Sequence, residues 1–335
     1  MYTVGLDVDK QVFTVKILLS AGNFCINSPL VFTLGTIYLF SGKSASNFAI
    51  RKIAMAITKN TNEKYTNLPW ISDHLSKYRT NLTDKELGYF LAGLIEGKGW
   101  FGVKEFQIVF QQSEIQLAHY IRKQIGYGRI DKIDASHKKG VKYICKHKQG
   151  LFIILSLING KFVTESKYNQ LIRLNYSKYL NIRILPPLKR LSWDNFWLAG
   201  FSQALGCFYI NVVKSPRDEI GYSVRLEYSI KQKEKLPIEL LHYHLKTGDI
   251  TQDSSGIWCY KSSDFMTAAR LISYFDKYHV FGWKYVNFIK VRKVYRMIRE
   301  GKHLQSKGIK KIRSIATKGS SETSTQEINT DIEKK

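Results

Sequence analysis

Leu91-Ala92-Gly93-Leu94-Ile95-Glu96-Gly97-Lys98-Gly99 and Leu198-Ala199-Gly200-Phe201-Ser202-Gln203-Ala204-Leu205-Gly206 are two versions of one nonapeptide, beginning 107 residues apart in a chain of 335. Upstream of the first, Thr83-Asp84-Lys85-Glu86 has the form of a capping box, with acids in the first turn where the helix dipole favours them. A helix is therefore predicted over about 84–97. Its apolar positions Leu87, Phe90, Leu91, Leu94 and Ile95 recur at spacings of three and four, while Ala92, Gly93 and Gly97 are small enough for a second helix to approach closely. Ser192 is the expected cap of the second helix, which would bring Ala199 and Gly200 to the same helix–helix interface.

The repeat extends beyond the nonapeptides. After the first, Phe101 and Val103, then Phe106, Ile108 and Phe110 alternate with polar neighbours. After the second, Phe208, Ile210 and Val212 do the same, followed by Val224, Leu226, Tyr228 and Ile230. Period two predicts strands with one buried face. Gly128-Arg129-Ile130 matches Gly248-Asp249-Ile250, Lys167-Tyr168 matches Lys284-Tyr285, and apolar helical segments precede the latter at 151–158 and 267–274. The expected organisation is α+β, with two αββαββα units at 81–185 and 186–300 joined through Leu185-Pro186-Pro187. Residues 55–82 read as a linker, and 301–335 as a polar, flexible tail.

Composition bounds the function. The chain carries 52 Lys+Arg against 27 Asp+Glu, a net charge of +25, with 44% apolar and 13% aromatic residues. That apolar fraction excludes a wholly disordered chain, and four scattered cysteines exclude a disulfide scaffold. Neither the cysteines nor His242 and His244, two apart, have metal-ligand spacing. Residues 81–300 hold +16 of the surplus, so the positive charge lies on the folded body, as a surface tracking phosphates requires. Between Lys16 and Lys43 lie 26 residues without a charge. Ser20, Asn23, Asn27, Ser28 and Pro29 interrupt them, so no membrane span is expected.

The two nonapeptides resemble the signature helices of the LAGLIDADG homing endonucleases and intron maturases, and the resemblance covers about residues 80–300. It implies two pseudo-symmetric halves in one monomeric chain, packed through the motif helices, with two basic, saddle-shaped sheets lying on nucleic acid. Met1-Tyr2-Thr3-Val4-Gly5-Leu6-Asp7-Val8-Asp9 resembles a piece of cytochrome oxidase subunit 1. Thr317-Lys318-Gly319-Ser320-Ser321-Glu322-Thr323 resembles the close of proteins encoded within introns of that gene. Residues 1–80 are then an exon-derived leader and linker, and the mitochondrial matrix is the expected location.

The departure from the motif decides the expected chemistry. In active members of the family the eighth motif residue of each helix is an acid, and the two acids hold divalent metal ions. Lys98 and Leu205 stand there, and neither is an oxygen ligand. A Lys cation about 5 Å from Mg²⁺ costs about 7 kcal/mol at an effective dielectric near 20. Glu96, two residues back, is about 200° round the helix from that position. No intact catalytic residue, metal or cofactor is therefore expected, with Mg²⁺ entering only if the chain is after all an active endonuclease.

Lys98 has two readings, a phosphate contact and a solvated cation. Strand parity adds Trp100, Lys104, Gln107, Gln111, Tyr209, Asn211, Arg225, Glu227, Ser229 and Lys231 as nucleic-acid-binding candidates. The expectation is a pseudo-enzyme that binds structured RNA, as an intron maturase or a ribosome-associated protein with ribosomal or splicing partners. The alternative is an active homing endonuclease cleaving double-stranded DNA at an intron insertion site. A decaying reading frame is the third.

Overall fold

Thr83 and Glu86 close the capping box: Thr83 Oγ1 accepts from the Glu86 amide at 3.3 Å, and Glu86 Oε2 accepts from the Thr83 amide at 3.0 Å. They launch α1 (Asp84–Lys98), which runs directly into β1 (Gly99–Gly102) and back through β2 (Glu105–Gln111). The first half continues with α2 (Ile115–Ile125), β3 (Arg129–Ala135), β4 (Lys138–Cys145), α3 (Lys148–Ile158), α4 (Glu165–Arg173) and α5 (Tyr176–Leu180). The second half repeats the order: α6 (Trp197–Leu205), β5 (Gly206–Lys214), β6 (Tyr222–Gln232), α7 (Lys235–Leu245), β7 (Asp249–Gln252), β8 (Trp258–Ser262), α8 (Phe265–Lys277) and α9 (Gly282–Arg299), with α10 (Ser306–Ser320) added. This computed structural model describes residues 65 and 67–320 except 136–137, 217 and 219, together with a short antiparallel pairing of Val4–Gly5 with Thr14–Val15. The rest of the leader, including the 17–42 stretch, and residues 321–335 lie outside the described residues. No described helix is long and apolar enough to cross a membrane.

Each half has one four-stranded antiparallel sheet, in the orders β1-β2-β4-β3 and β5-β6-β8-β7. The two sheets share one register where the motif helices enter them. Gly99 pairs with Ile108 and Gly206 with Ile230, and each isoleucine in turn faces a tyrosine on the third strand, Tyr143 or Tyr260. Both tyrosine hydroxyls donate, at 2.8 Å, to the carbonyl preceding a matched glycine, Tyr127 before Gly128 and Thr247 before Gly248. Gly128 and Gly248 share the positive-φ conformation, at 96° and 94°, that lets the chain enter the next strand against the tyrosine ring.

The motif helices α1 and α6 pack backbone to backbone. A Cβ on Gly93 would strike the Trp197 carbonyl and lie 2.7 Å from the Phe201 amide, and one on Gly200 would strike the Phe90 carbonyl. Gly97 packs on Ala204 and Leu205. Ala92 and Ala199 are fully buried beside them, so the small residues do the structural task the sequence assigns them. One apolar core runs through both halves, from Leu91 and Leu94 through Leu198 and Phe201 to Phe275 and Phe288.

Four expectations change. Val103 does not face inward: it is 77% exposed in the β1–β2 turn, because the strand ends at Gly102. Ser192 does not cap α6. Its hydroxyl accepts from the Asp194 amide, Asp194 binds Lys277 and Tyr278, and Asn195 Oδ1 receives the Trp197 amide at 2.8 Å. Within the part of the linker that is described, residues 67–82 are a strap over the second half. Buried Arg292 donates to the carbonyls of Ser72 and His74, Tyr295 to that of Pro69, and Arg299 to that of Leu68. The described part of the tail is not a flexible segment but forms α10, because Ile309 and Ile312 supply an apolar stripe that buries the helix on α9 and β5.

Candidate nucleic-acid interface

The two motif helices end side by side, and the residues at their feet form a closed polar network. Lys98, in the last turn of α1, has a side chain only 6% exposed, with Nζ 2.7 Å from Glu114 Oε2 and 4.7 Å from the centre of the Phe110 ring. Glu114, 3% exposed, sits just ahead of α2, at the end of the short turn that follows β2. Its Oε1 accepts from Gln203 Nε2 at 2.9 Å, and its Oε2 also receives the Gln111 amide at 3.3 Å. Gln203 Oε1 in turn accepts from the Phe281 amide at 2.8 Å. Buried Lys284 donates to the carbonyls of Ser202 and Gly206 at 3.0 and 2.8 Å, holding the C-terminal end of α6.

The charges fit one another. Burial would raise the Glu114 carboxyl, but the Lys98 and Lys284 cations, with the hydrogen bonds from Lys98 and Gln203, hold it below its usual value. Burial pulls Lys284 down to about 8, with Glu114 acting the other way. Glu114 was not visible in the sequence as a partner of Lys98, since the two meet only when the β1–β2 hairpin folds back. Lys284 carried a partial signal, its match to Lys167 in the repeat.

Glu96 turns away from this centre, as helix geometry requires. Its carboxyl caps the start of α4, accepting from the Val163 amide at 3.0 Å and the Thr164 amide at 2.6 Å, and also takes the Trp197 indole N–H at 2.5 Å. Burial pushes it up to about 7 against the pull of those donors.

A divalent ion does not fit the foot of the helices. The two motif positions offer an ammonium and a hydrocarbon, and the nearby carboxylate already accepts three donors. Among the described residues no cluster of three acids, histidines or cysteines could hold a metal.

Lys98 itself differs from both of its sequence readings, being neither solvated nor presented to the surface but locked to Glu114. The other candidates lie where strand parity puts them, except Lys104, which falls beyond the end of β1 at Gly102. Trp100, Gln107 and Gln111 share the outward face of the first sheet, joined by Arg129 and Lys142, while Lys146, one residue past the end of β4, reaches Glu105 on that face; the sequence reading missed these three cations. Tyr209, Asn211, Arg225, Glu227, Ser229 and Lys231 share that of the second, joined by Lys261. Lys104 is in the β1–β2 turn, its ammonium 5.0 Å from the centre of the Tyr179 ring.

Register makes Glu105 and Glu227 equivalent, and each is held by a lysine, Lys146 at 2.7 Å and Lys261 at 3.0 Å, and by an amide, Gln107 and Asn211. The two outward faces therefore present tethered carboxylates among cations and amides, Arg129 itself being paired with Asp131 at 3.0 Å, the chemistry that reads base edges and phosphates.

The family model described as LAGLIDADG endonuclease matches residues 198–295. An uncharacterized 37.2 kDa protein of cox1 intron 2 from Schizosaccharomyces pombe is 38% identical over 256 residues, covering 72% of this chain and 76% of that one. The chain belongs to the LAGLIDADG endonuclease family. Within the family it is also similar to the intron-encoded DNA endonuclease aI3 of Saccharomyces cerevisiae, 23% identical with 69% of each chain covered. Its fold is that of the I-LtrWI LAGLIDADG homing endonuclease bound to target DNA, with a TM-score of 0.56 at 20% identity over 70% of this chain and 98% of that one.

Proposed function

We propose that this LAGLIDADG protein binds nucleic acid without cutting it, and that its ligand is structured RNA, bound in the mitochondrial matrix as an intron maturase or a ribosome-associated protein. The observation that carries the reading is the Lys98–Glu114–Gln203 network. In place of two acids and a metal it sets a neutralised, buried ion pair beside Leu205. No pair of carboxylates is there to hold the metal ions that would activate water and stabilise a leaving oxygen, so metal-assisted phosphodiester hydrolysis has no chemical driver. The scaffold that would position a nucleic acid is complete: the motif-helix interface, both sheets and their basic outward faces. RNA is the ligand favoured because an intron-borne protein that cannot cut an intronless DNA still has the intron transcript to act on.

The experiment is a paired binding and cleavage assay on cognate intron RNA and on intronless duplex DNA, in Mg²⁺ and in EDTA, over a salt series. The expected result is salt-graded RNA binding that survives chelation when the RNA is pre-folded, with no DNA cleavage. Mg²⁺-dependent cleavage of the duplex would overturn the reading, as would equal weak binding to the intron and to unrelated duplexes.

A further inference from the structure

Helix α10 carries a concentration of charge that the fold does not use. Lys307, Lys310, Lys311 and Arg313 lie exposed on one 15-residue helix with no acid in its first turn. Lys307 faces Lys310 and Lys311 at spacings of three and four, and Lys310 faces Arg313 at three, so neighbouring cations repel along the helix. Lys307, Lys310 and Lys311 also sit in the first turn and a half, where the helix dipole disfavours positive charge. Among the described residues none of these three pairs with an acid. Arg313 is oriented by Tyr222, its guanidinium 5.2 Å from the ring centre and Nη1 3.4 Å from the hydroxyl. Local electrostatics among the described residues thus oppose this arrangement, and a polyanion bound there would relieve it.

The position of α10 indicates where that polyanion runs. Ile309 and Ile312 fix the helix on the core, and Gly308 brings its backbone against the Lys302 carbonyl, so the charged face is held rigidly. α10 packs beside β5, the edge strand of the second sheet, and Arg313 reaches Tyr222, which pairs with Lys214 at the far end of the β5–β6 hairpin. The first half ends in the short α5 and has no such helix after it.

We infer that α10 is a phosphate clamp for the backbone of an RNA helix that lies on the second sheet and extends past its β5 edge, so that the two halves grip their ligand unequally. This rests on the nucleic-acid-binding reading above and adds to it a site outside the sheets.

The test uses the full chain and compares wild type with the triple variant Lys307→Gln, Lys310→Gln, Lys311→Gln. A control triple, Lys85→Gln, Lys123→Gln, Lys178→Gln, makes the same change in net charge at exposed lysines elsewhere. Binding to folded intron RNA and to a DNA duplex is measured across a salt series, with hydroxyl-radical footprinting, after thermal melts show that each variant is folded. The α10 triple is expected to lower RNA affinity at least tenfold near 0.1 M salt. It should also reduce the log–log salt slope by about 2, at 0.7–0.9 per lost phosphate contact, and remove protection on one flank only. The control should leave slope and footprint in place. Equal effects of the two triples, or an α10 triple with unchanged slope and footprint, would overturn the clamp while leaving the binding reading intact. A loss confined to the DNA duplex would overturn its assignment to RNA, and wild type that bound neither ligand would overturn both inferences.

Discussion

Lys98 and Glu114 would each be expensive to bury alone, and together they are tolerable because every charged atom of Glu114 has a partner. Glu114→Gln leaves the Lys98 ammonium buried without a counter-charge and is expected to cost about 3–5 kcal/mol in urea unfolding. The double variant Lys98→Met, Glu114→Gln removes both charges and should recover most of that loss. A cycle showing additive costs would mean that the two side chains are not coupled. The pair also sets an acid limit. Glu114 titrates lower folded than unfolded, so its contribution is complete above the unfolded value of 4.5 and disappears as pH falls through the lower folded value. Wild type should therefore lose stability below about pH 4.5 more steeply than the double variant.

At the scale of elements the nonapeptides decided the fold because three demands coincide in them. The same residues must form helix, bury apolar side chains, and leave room for another backbone. Gly93 and Gly200 meet the third, lying where any Cβ would enter the partner helix's carbonyl row. Gly93→Ala improves local helix propensity by about 1 kcal/mol, yet it is expected to destabilise the protein by about 3 kcal/mol or more, since neither α1 nor α6 can withdraw without opening the shared core. A raised thermal midpoint for Gly93→Ala would show that the helices are not in backbone contact. Strand parity was legible for the same kind of reason, and the Phe106-Ile108-Phe110 face is buried as read. It failed at Val103, where the alternation continued through a turn that sequence periodicity does not mark. The chemistry at the helix feet was half legible. The missing acids could be read from the motif, while the partner that neutralises Lys98 could not, because Glu114 reaches it only through the β1–β2 hairpin and its type alone suggests a solvated side chain.

Over the whole molecule, the least legible feature is the strap. Residues 67–82 lack periodicity and look like a connection, yet they fold back over α9, more than two hundred residues away in sequence. Their backbone carbonyls, which no sequence pattern displays, provide the acceptors. Arg292 is the anchor: its Nε pairs with both oxygens of Asp276 at 2.9 and 3.0 Å, while Nη2 reaches the Ser72 and His74 carbonyls at 2.8 and 3.3 Å. Tyr78 closes the strap by packing against His279, Phe281 and Tyr285. The strap thus ties the segment entering the first motif helix to the last long helix of the second half, so both halves are held at the motif interface and again across the strap. A chain beginning at residue 81 loses the Arg292, Tyr295 and Arg299 acceptors together with the Tyr78 packing. At about 1 kcal/mol per lost hydrogen bond it should be about 3–4 kcal/mol less stable than one beginning at residue 65. Urea unfolding of the two chains, with limited proteolysis of α9 as a second readout, measures this. Equal midpoints and equal protection of α9 would show that the strap only rests on the second half, and that the repeat unit read from the sequence is the complete folded unit.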